Sequence, residues 1–114
     1  MRPTLPAPNE FELAILRRLA SKLPALSAVV PKLRVVSRRY TPCGSYTRLD
    51  CRDVVAGAGE PIGLSEAITM PGVAYGMDGV LFFKDSRPDC LEIVTFGGEP
   101  WDGHHDGFSI PPAA

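Results

Sequence analysis

Gly79-Val-Leu-Phe-Phe-Lys84 and Leu91-Glu-Ile-Val-Thr-Phe96, with the turn segment Asp85-Ser86-Arg87-Pro88-Asp89 and then Cys90 between them, form the stretch that decides the fold. Both arms are rich in aromatic and β-branched residues, and the polar segment between them carries turn chemistry. The pattern predicts an antiparallel hairpin. Upstream, residues 32–41 alternate, with Leu33, Val35 and Ser37 on one face and Arg34, Val36 and Arg38 on the other, and they predict a further strand. Pro42-Cys43-Gly44-Ser45 is a turn signal, and residues 45–55 predict a partner strand with Tyr46, Arg48 and Asp50 opposite in facing to Thr47, Leu49 and Cys51. Residues 56–63 read as a glycine-rich loop, residues 64–69 as a helical turn or the start of a strand, and residues 72–76 as a short apolar segment bounded by glycines.

Ahead of these strands lies one helical pattern. Asn9 is a good N-cap, and Glu12 stands three residues later, as in a capping box. Phe11, Ile15, Leu16, Leu19 and Leu23 recur near helical spacing, with Glu10 and Glu12 at the positive end of the helix dipole and Arg17, Arg18 and Lys22 toward the negative end. The pattern predicts an amphipathic helix over residues 10–22, ended or bent by Pro24, with a short second helix over residues 25–30 closed by Pro31. Residues 1–8, with Pro3, Pro6 and Pro8, read as an extended lead-in, and residues 97–114 as an irregular tail folded back over the sheet on Trp101 and Phe108. The expected architecture is α+β: an N-terminal helix on an antiparallel sheet of about four to five hairpin-connected strands, in a single domain over residues 1–114.

The 114 residues suit one core, and the 45% hydrophobic content argues against wholesale disorder. No apolar stretch approaches the roughly 20 residues that span a bilayer, and the first residues lack the apolar run of a secretory signal, so a cytoplasmic protein without membrane contact is expected. The three cysteines, Cys43, Cys51 and Cys90, are expected as reduced thiols, with Cys90 a small core residue.

Several chemistries have candidate residues. Cys43, Cys51, His104 and His105 are metal-ligand types, but seven residues separate the two cysteines, and zinc pairs are usually two to four apart. A thiol paired with a histidine and oriented by Asp106 would make a nucleophile, yet no local motif accompanies it. Gly57, Gly59 and Gly63 are spaced like a phosphate loop, but Glu60 and Pro61 stand where such a loop needs compliant, uncharged backbone. Lys32, Arg34, Arg38, Arg39, Arg48 and Arg52, with Tyr40 and Tyr46, could meet nucleic acid, against an overall net charge of −1. The expectation is therefore a non-catalytic protein without cofactor or metal and without direct nucleic-acid contact.

Charge is distributed unevenly. Residues 1–57 hold ten Lys/Arg and four Asp/Glu, whereas residues 58–114 hold two and nine. Either the halves neutralise each other across the fold or they present faces of opposite sign. Asp78, Asp85, Asp89, Glu92, Glu99, Asp102 and Asp106 gather in the last third around Trp101, with only Lys84 and Arg87 to offset them. These eight residues are the candidate partner-binding set: an acidic surface around an aromatic anchor suits a basic protein, and the alternative is a rim that only solvates the fold.

Residues 77–101 read Met-Asp-Gly-Val-Leu-Phe-Phe-Lys-Asp-Ser-Arg-Pro-Asp-Cys-Leu-Glu-Ile-Val-Thr-Phe-Gly-Gly-Glu-Pro-Trp. The apolar strand, short polar turn, Cys-Leu-Glu-Ile strand and Gly-Glu-Pro exit resemble the closing hairpin of small bacterial domains. Some of these are similar to immunity proteins of contact-dependent growth inhibition and related toxin systems. Pro88 departs from the compact glycine turn of that pattern. The resemblance implies a cytoplasmic protein that covers the basic active-site surface of a cognate toxin, often a nuclease, without catalytic residues of its own. A scaffold or regulatory subunit of another complex is the alternative. The oligomeric state is open, with residues 91–96 as a candidate sheet edge.

Overall fold

In a computed structural model, residues 4–112 are described. The expectations for residues 1–3 and 113–114 lie outside them. The helix, α1, runs over Glu10–Ala20. Its capping box forms: the Asn9 side chain accepts from the Glu12 N–H, and Glu12 accepts from the Asn9 N–H, both at 2.8 Å. It stops before Lys22 because Leu23 precedes a proline and takes a non-helical conformation, φ −134° and ψ 84°. The expected second helix is two single 3₁₀ turns instead, Pro24–Leu26 and Val30–Lys32.

The strands are β1 (Arg34–Thr41), β2 (Gly44–Asp50), β3 (Ile62–Gly63), β4 (Ile68–Met70), β5 (Val73–Lys84) and β6 (Arg87–Thr95). They form one antiparallel sheet of order β1-β2-β6-β5-β3, with β4 also paired to β5. The fold is α+β as expected, with one strand more than the upper expectation. The extra pairing comes from the segment before residue 73: β5 is 12 residues long, so its free edge has room for both short strands. The apolar segment over residues 72–76 is the start of β5 and not a separate piece.

Residues 91–96 are not an edge. β6 lies between β2 and β5, and its pairing with β2 joins segments more than forty residues apart. Nor does the hairpin turn span residues 85–89. It is Asp85 and Ser86 alone, both at positive φ (52° and 61°), and β6 resumes at Arg87. Two residues at positive φ match the right-handed twist of the flanking strands. Pro88 is accommodated beside the register shift between Phe82 and Phe83, where the ladder does not need its missing N–H.

A bulge at Val36 changes the facing of β1. Val35 pairs with Leu49, but Ser37 pairs with Arg48, so Val36 is the extra residue. Val35 and Ser37 were expected on one face. The bulge sends Ser37 outward and turns Arg38, opposite buried Thr47, inward toward α1. There the Glu12 carboxylate, 1% exposed, receives Arg38 Nη2 at 2.6 Å and Nε at 2.9 Å, with the Thr47 hydroxyl as a further donor. With the Asn9 N–H, both carboxylate oxygens are saturated.

Apolar packing surrounds this network. Phe11, Ile15, Leu16 and Leu19 of α1 pack with Leu49, Leu81, Leu91 and Ile93 from the sheet, and with Leu26 and Leu33 from the connection. Gly79 permits the close approach: a Cβ there would lie 2.6 Å from Ile15 Cγ2. The tail returns along the helix rather than across the sheet. Trp101 and Phe108 anchor it against Phe11, with ring centroids 6.0 and 4.9 Å away. The Trp101 N–H donates to Pro42 O, and Ser109 pairs with Thr69 of β4, so the tail ties both ends of the sheet to α1.

Two predictions follow from the Glu12 site. Glu12→Gln keeps the capping geometry but leaves Arg38 facing a neutral group, and should lower unfolding free energy by about 3–5 kcal/mol in urea titration. Burial raises the Glu12 pKa, but hydrogen bonds from Arg38, Thr47 and the Asn9 N–H outweigh it, and the net shift is downward. The folded-state pKa is therefore below the unfolded one, so the contribution is complete above the ordinary glutamate value of about 4.3 and is lost as pH falls through the depressed value. Wild-type stability should fall across that acid window, and in Glu12→Gln this part of the slope should be absent.

Candidate functional site

In β2, β5 and β6 the pleat sends alternate side chains to opposite faces, and α1 with the tail covers only one of them. Pairing aligns the outward residues in rows: Arg39–Tyr46–Glu92–Val80, Ser37–Arg48–Cys90–Phe82, and Val94–Asp78. No helix or strand of the described residues lies over this face. A solvated face of an antiparallel sheet normally carries polar side chains. Here Val36 is 51% exposed and Tyr46 and Phe82 are each 37% exposed, with half-buried Val80 and Val94 among them.

Charge on this face is bipolar. Arg39 and Arg48 mark the β1–β2 half; Glu92, Asp78 and Asp89 mark the β5–β6 half. The Arg39 guanidinium lies 5.3 Å from the Tyr46 ring centroid, as in a cation–π contact. At the ring's hydroxyl, hydrogen bonding to Glu92 holds the Tyr46 pKa above the ordinary tyrosine value. Arg48 Nη1 is 3.4 Å from Asp89 Oδ1, a partly exposed pair of small energetic weight. Between the sequence halves, that contact and Arg18–Glu66 at 3.8 Å are the ion pairs found among the described residues, so the two halves neutralise each other only locally.

The eight candidate partner residues do not form one surface. Asp78, Asp89 and Glu92 lie on the β5–β6 ribbon, and Asp78 is pushed toward neutrality by burial. Asp85 is exposed at the hairpin turn. Glu99 is engaged in the fold: its carboxylate accepts from the Ala74 and Tyr75 N–H groups at 2.9 and 2.8 Å. Asp102 accepts from the His104 N–H, and Asp106 lies 3.3 Å from His104 Nε2. Trp101 is 8% exposed, beneath Phe11 and Tyr40, and its indole N–H donates to His104 O. It is the tail's anchor and sits on the helix side, away from Asp78 and Glu92. The aromatic residues on the uncovered face are Tyr46 and Phe82.

The basic candidates divide as well. Arg38 is turned inward, Arg34 donates to the Pro31 and Leu33 carbonyls, Lys32 lies 3.5 Å from Asp53, and Arg52 is exposed beyond the end of β2, leaving Arg39 and Arg48 on the sheet face. Cys90, expected in the core, is half-buried on the outer face because Leu91 and Ile93 take the inward positions, and burial raises its thiol pKa. Cys43, Cys51 and Cys90 are all free thiols. His105 stacks on Phe11 at 5.7 Å. Among the described residues, no three His, Cys, Asp or Glu side chains come together as a metal site would need.

Two concavities bear on function. One, of about 330 Å³, lies between the lead-in, α1 and the 3₁₀ turn at residues 30–32, lined by Ala7, Pro8, Leu13, Val30 and Leu33 with Arg17 and Arg34. Its Arg34 is already occupied by backbone carbonyls. The other, of about 310 Å³, opens on the uncovered sheet face between Ser37, Arg39, Tyr46, Arg48 and Cys90. No described helix is long and apolar enough to cross a membrane. Comparison with protein families, curated proteins and solved structures finds no match for this chain.

Proposed function

We propose that this protein is a binding protein of the immunity type, which neutralises a cognate toxin in the cytoplasm by covering its basic active-site surface. The observation that carries the reading is the uncovered sheet face, where Val36, Tyr46, Phe82, Val80 and Val94 interrupt what would otherwise be a solvated surface. Exposed apolar groups grouped on a rigid sheet and bordered by charge are the composition of a protein interface. Glu92 and Asp89 give the β5–β6 half the sign that a nuclease's basic surface would meet, and Phe82 stands beside them as the desolvated anchor. The resemblance of residues 77–101 to immunity hairpins falls on the strands that form this half of the face.

Stoichiometric capture with the full chain, followed by inhibition of the captured protein's activity, tests this reading. Glu92→Lys should slow association on the order of tenfold at low salt and lose that effect as salt screens it. Phe82→Ala should speed dissociation, at a cost of about 2 kcal/mol, as for a central aromatic. Both side chains project from the sheet away from the core beneath α1, so both variants should stay folded, as circular dichroism would check. Unaltered association and dissociation in both variants would move the interface elsewhere, and a partner that is no toxin would make the protein a subunit of another complex.

A further inference from the structure

The cavity between Arg39 and Arg48 has a chemistry of its own. Its lining is two guanidiniums, the Ser37 hydroxyl, the Tyr46 ring and the Cys90 thiol. Three adjacent strands supply these groups, so their spacing is set by the sheet ladder and not by a mobile loop. Arg39 has no carboxylate within ion-pair distance among the described residues, and its guanidinium carbon lies 5.3 Å from the Tyr46 ring centroid. Arg48 is held only by the 3.4 Å contact to Asp89, in a pair more than half exposed on the arginine side. The thiol, with its pKa raised by burial, brings no negative charge at neutral pH. A pair of weakly engaged arginines beside a hydroxyl, on backbone held in register by the sheet, is an arrangement that recognises oxyanions.

We propose that this cavity binds a phosphoryl group, carried by a phosphate monoester. Two guanidiniums arriving from neighbouring strands match a doubly charged group with three peripheral oxygens better than a planar carboxylate with two. At about 310 Å³ the cavity also has room for the esterified substituent, which would lie along the exposed Phe82 side of the face. Two carboxylates oppose the site: Asp89, which competes for Arg48, and Glu92, beyond the Tyr46 ring. The inference concerns the same face as the proposed function but does not depend on a protein partner.

The test titrates the isolated full chain with inorganic phosphate, phenyl phosphate and acetate at constant ionic strength, read by amide chemical shifts. Saturable shifts centred on residues 37, 39, 46, 48 and 90 are expected with both phosphates, tighter for the ester and much weaker for acetate. Arg39→Gln and Arg48→Gln should each weaken binding on the order of tenfold while keeping the spectrum of the folded sheet. Asp89→Asn, which releases Arg48, should tighten it. Absence of saturable shifts, or saturation indifferent to both arginine variants, would overturn the site. Acetate binding as tightly as phosphate would overturn the phosphoryl assignment. Because no partner is present, none of these outcomes decides the inhibitor reading, and loss of partner binding would leave this site untouched.

Discussion

The Glu12 carboxylate is the point where the helix and sheet are fixed to each other. It closes the first turn of α1 through Asn9 and simultaneously takes up the inward-facing Arg38 of β1 and the hydroxyl of Thr47 on β2. Burying a charge this deeply is tolerable only because both oxygens are fully hydrogen-bonded and the counter-charge is bidentate. Apolar packing would hold a helix on a sheet in many orientations. A four-donor carboxylate with its partners on three elements selects one, so that α1 lies over the inner face and Ile15 fits against Gly79.

That choice of face has a consequence for function. With α1 and the tail on one side, the outward rows of β1, β2, β5 and β6 are left to solvent, apolar side chains included. The Val36 bulge links the two sides. By adding one residue to β1 it delivers Arg38 to the core and at the same time puts Ser37 and Arg39 on the outer face, where they border the Arg48 cavity. A single irregularity thus supplies both the ion pair that orders the fold and the basic half of the candidate surface.

The parts legible in the sequence are those encoded locally. The capping box and the spacing of Phe11, Ile15 and Leu19 announce α1, and the aromatic and β-branched richness of residues 79–84 and 91–96 on either side of a polar turn announces the hairpin. Long-range terms are not legible in this way. β3 and β4 are two and three residues long and exist as strands only because β5 offers an edge. The β2–β6 pairing that makes β6 central depends on no neighbouring turn. Nothing in residues 33–38 flags the bulge, since Val35 and Val36 suit either face equally, and the error in facing hid the role of Arg38. The candidate site was legible as two separate sets, the acidic residues and a basic set that held Arg39, Arg48 and Tyr46, but not as one face. Glu92 and Asp78 do project from the face, but Trp101, the largest apolar side chain near the acidic residues, is spent on anchoring the tail. The outward position of Cys90 could have been found from strict alternation with Leu91 and Ile93.

Because Cys90 projects from the uncovered face, it reports directly on whether that face is the working surface. The decisive measurement is the alkylation rate of Cys90 by a neutral reagent, with Cys43 and Cys51 replaced by serine, in the free protein and in its complex with the captured partner. The account predicts slow but measurable labelling in the free protein and strong protection in the complex. Equal labelling in both states would contradict it, because a partner covering the rows around Tyr46 and Phe82 cannot leave that thiol open.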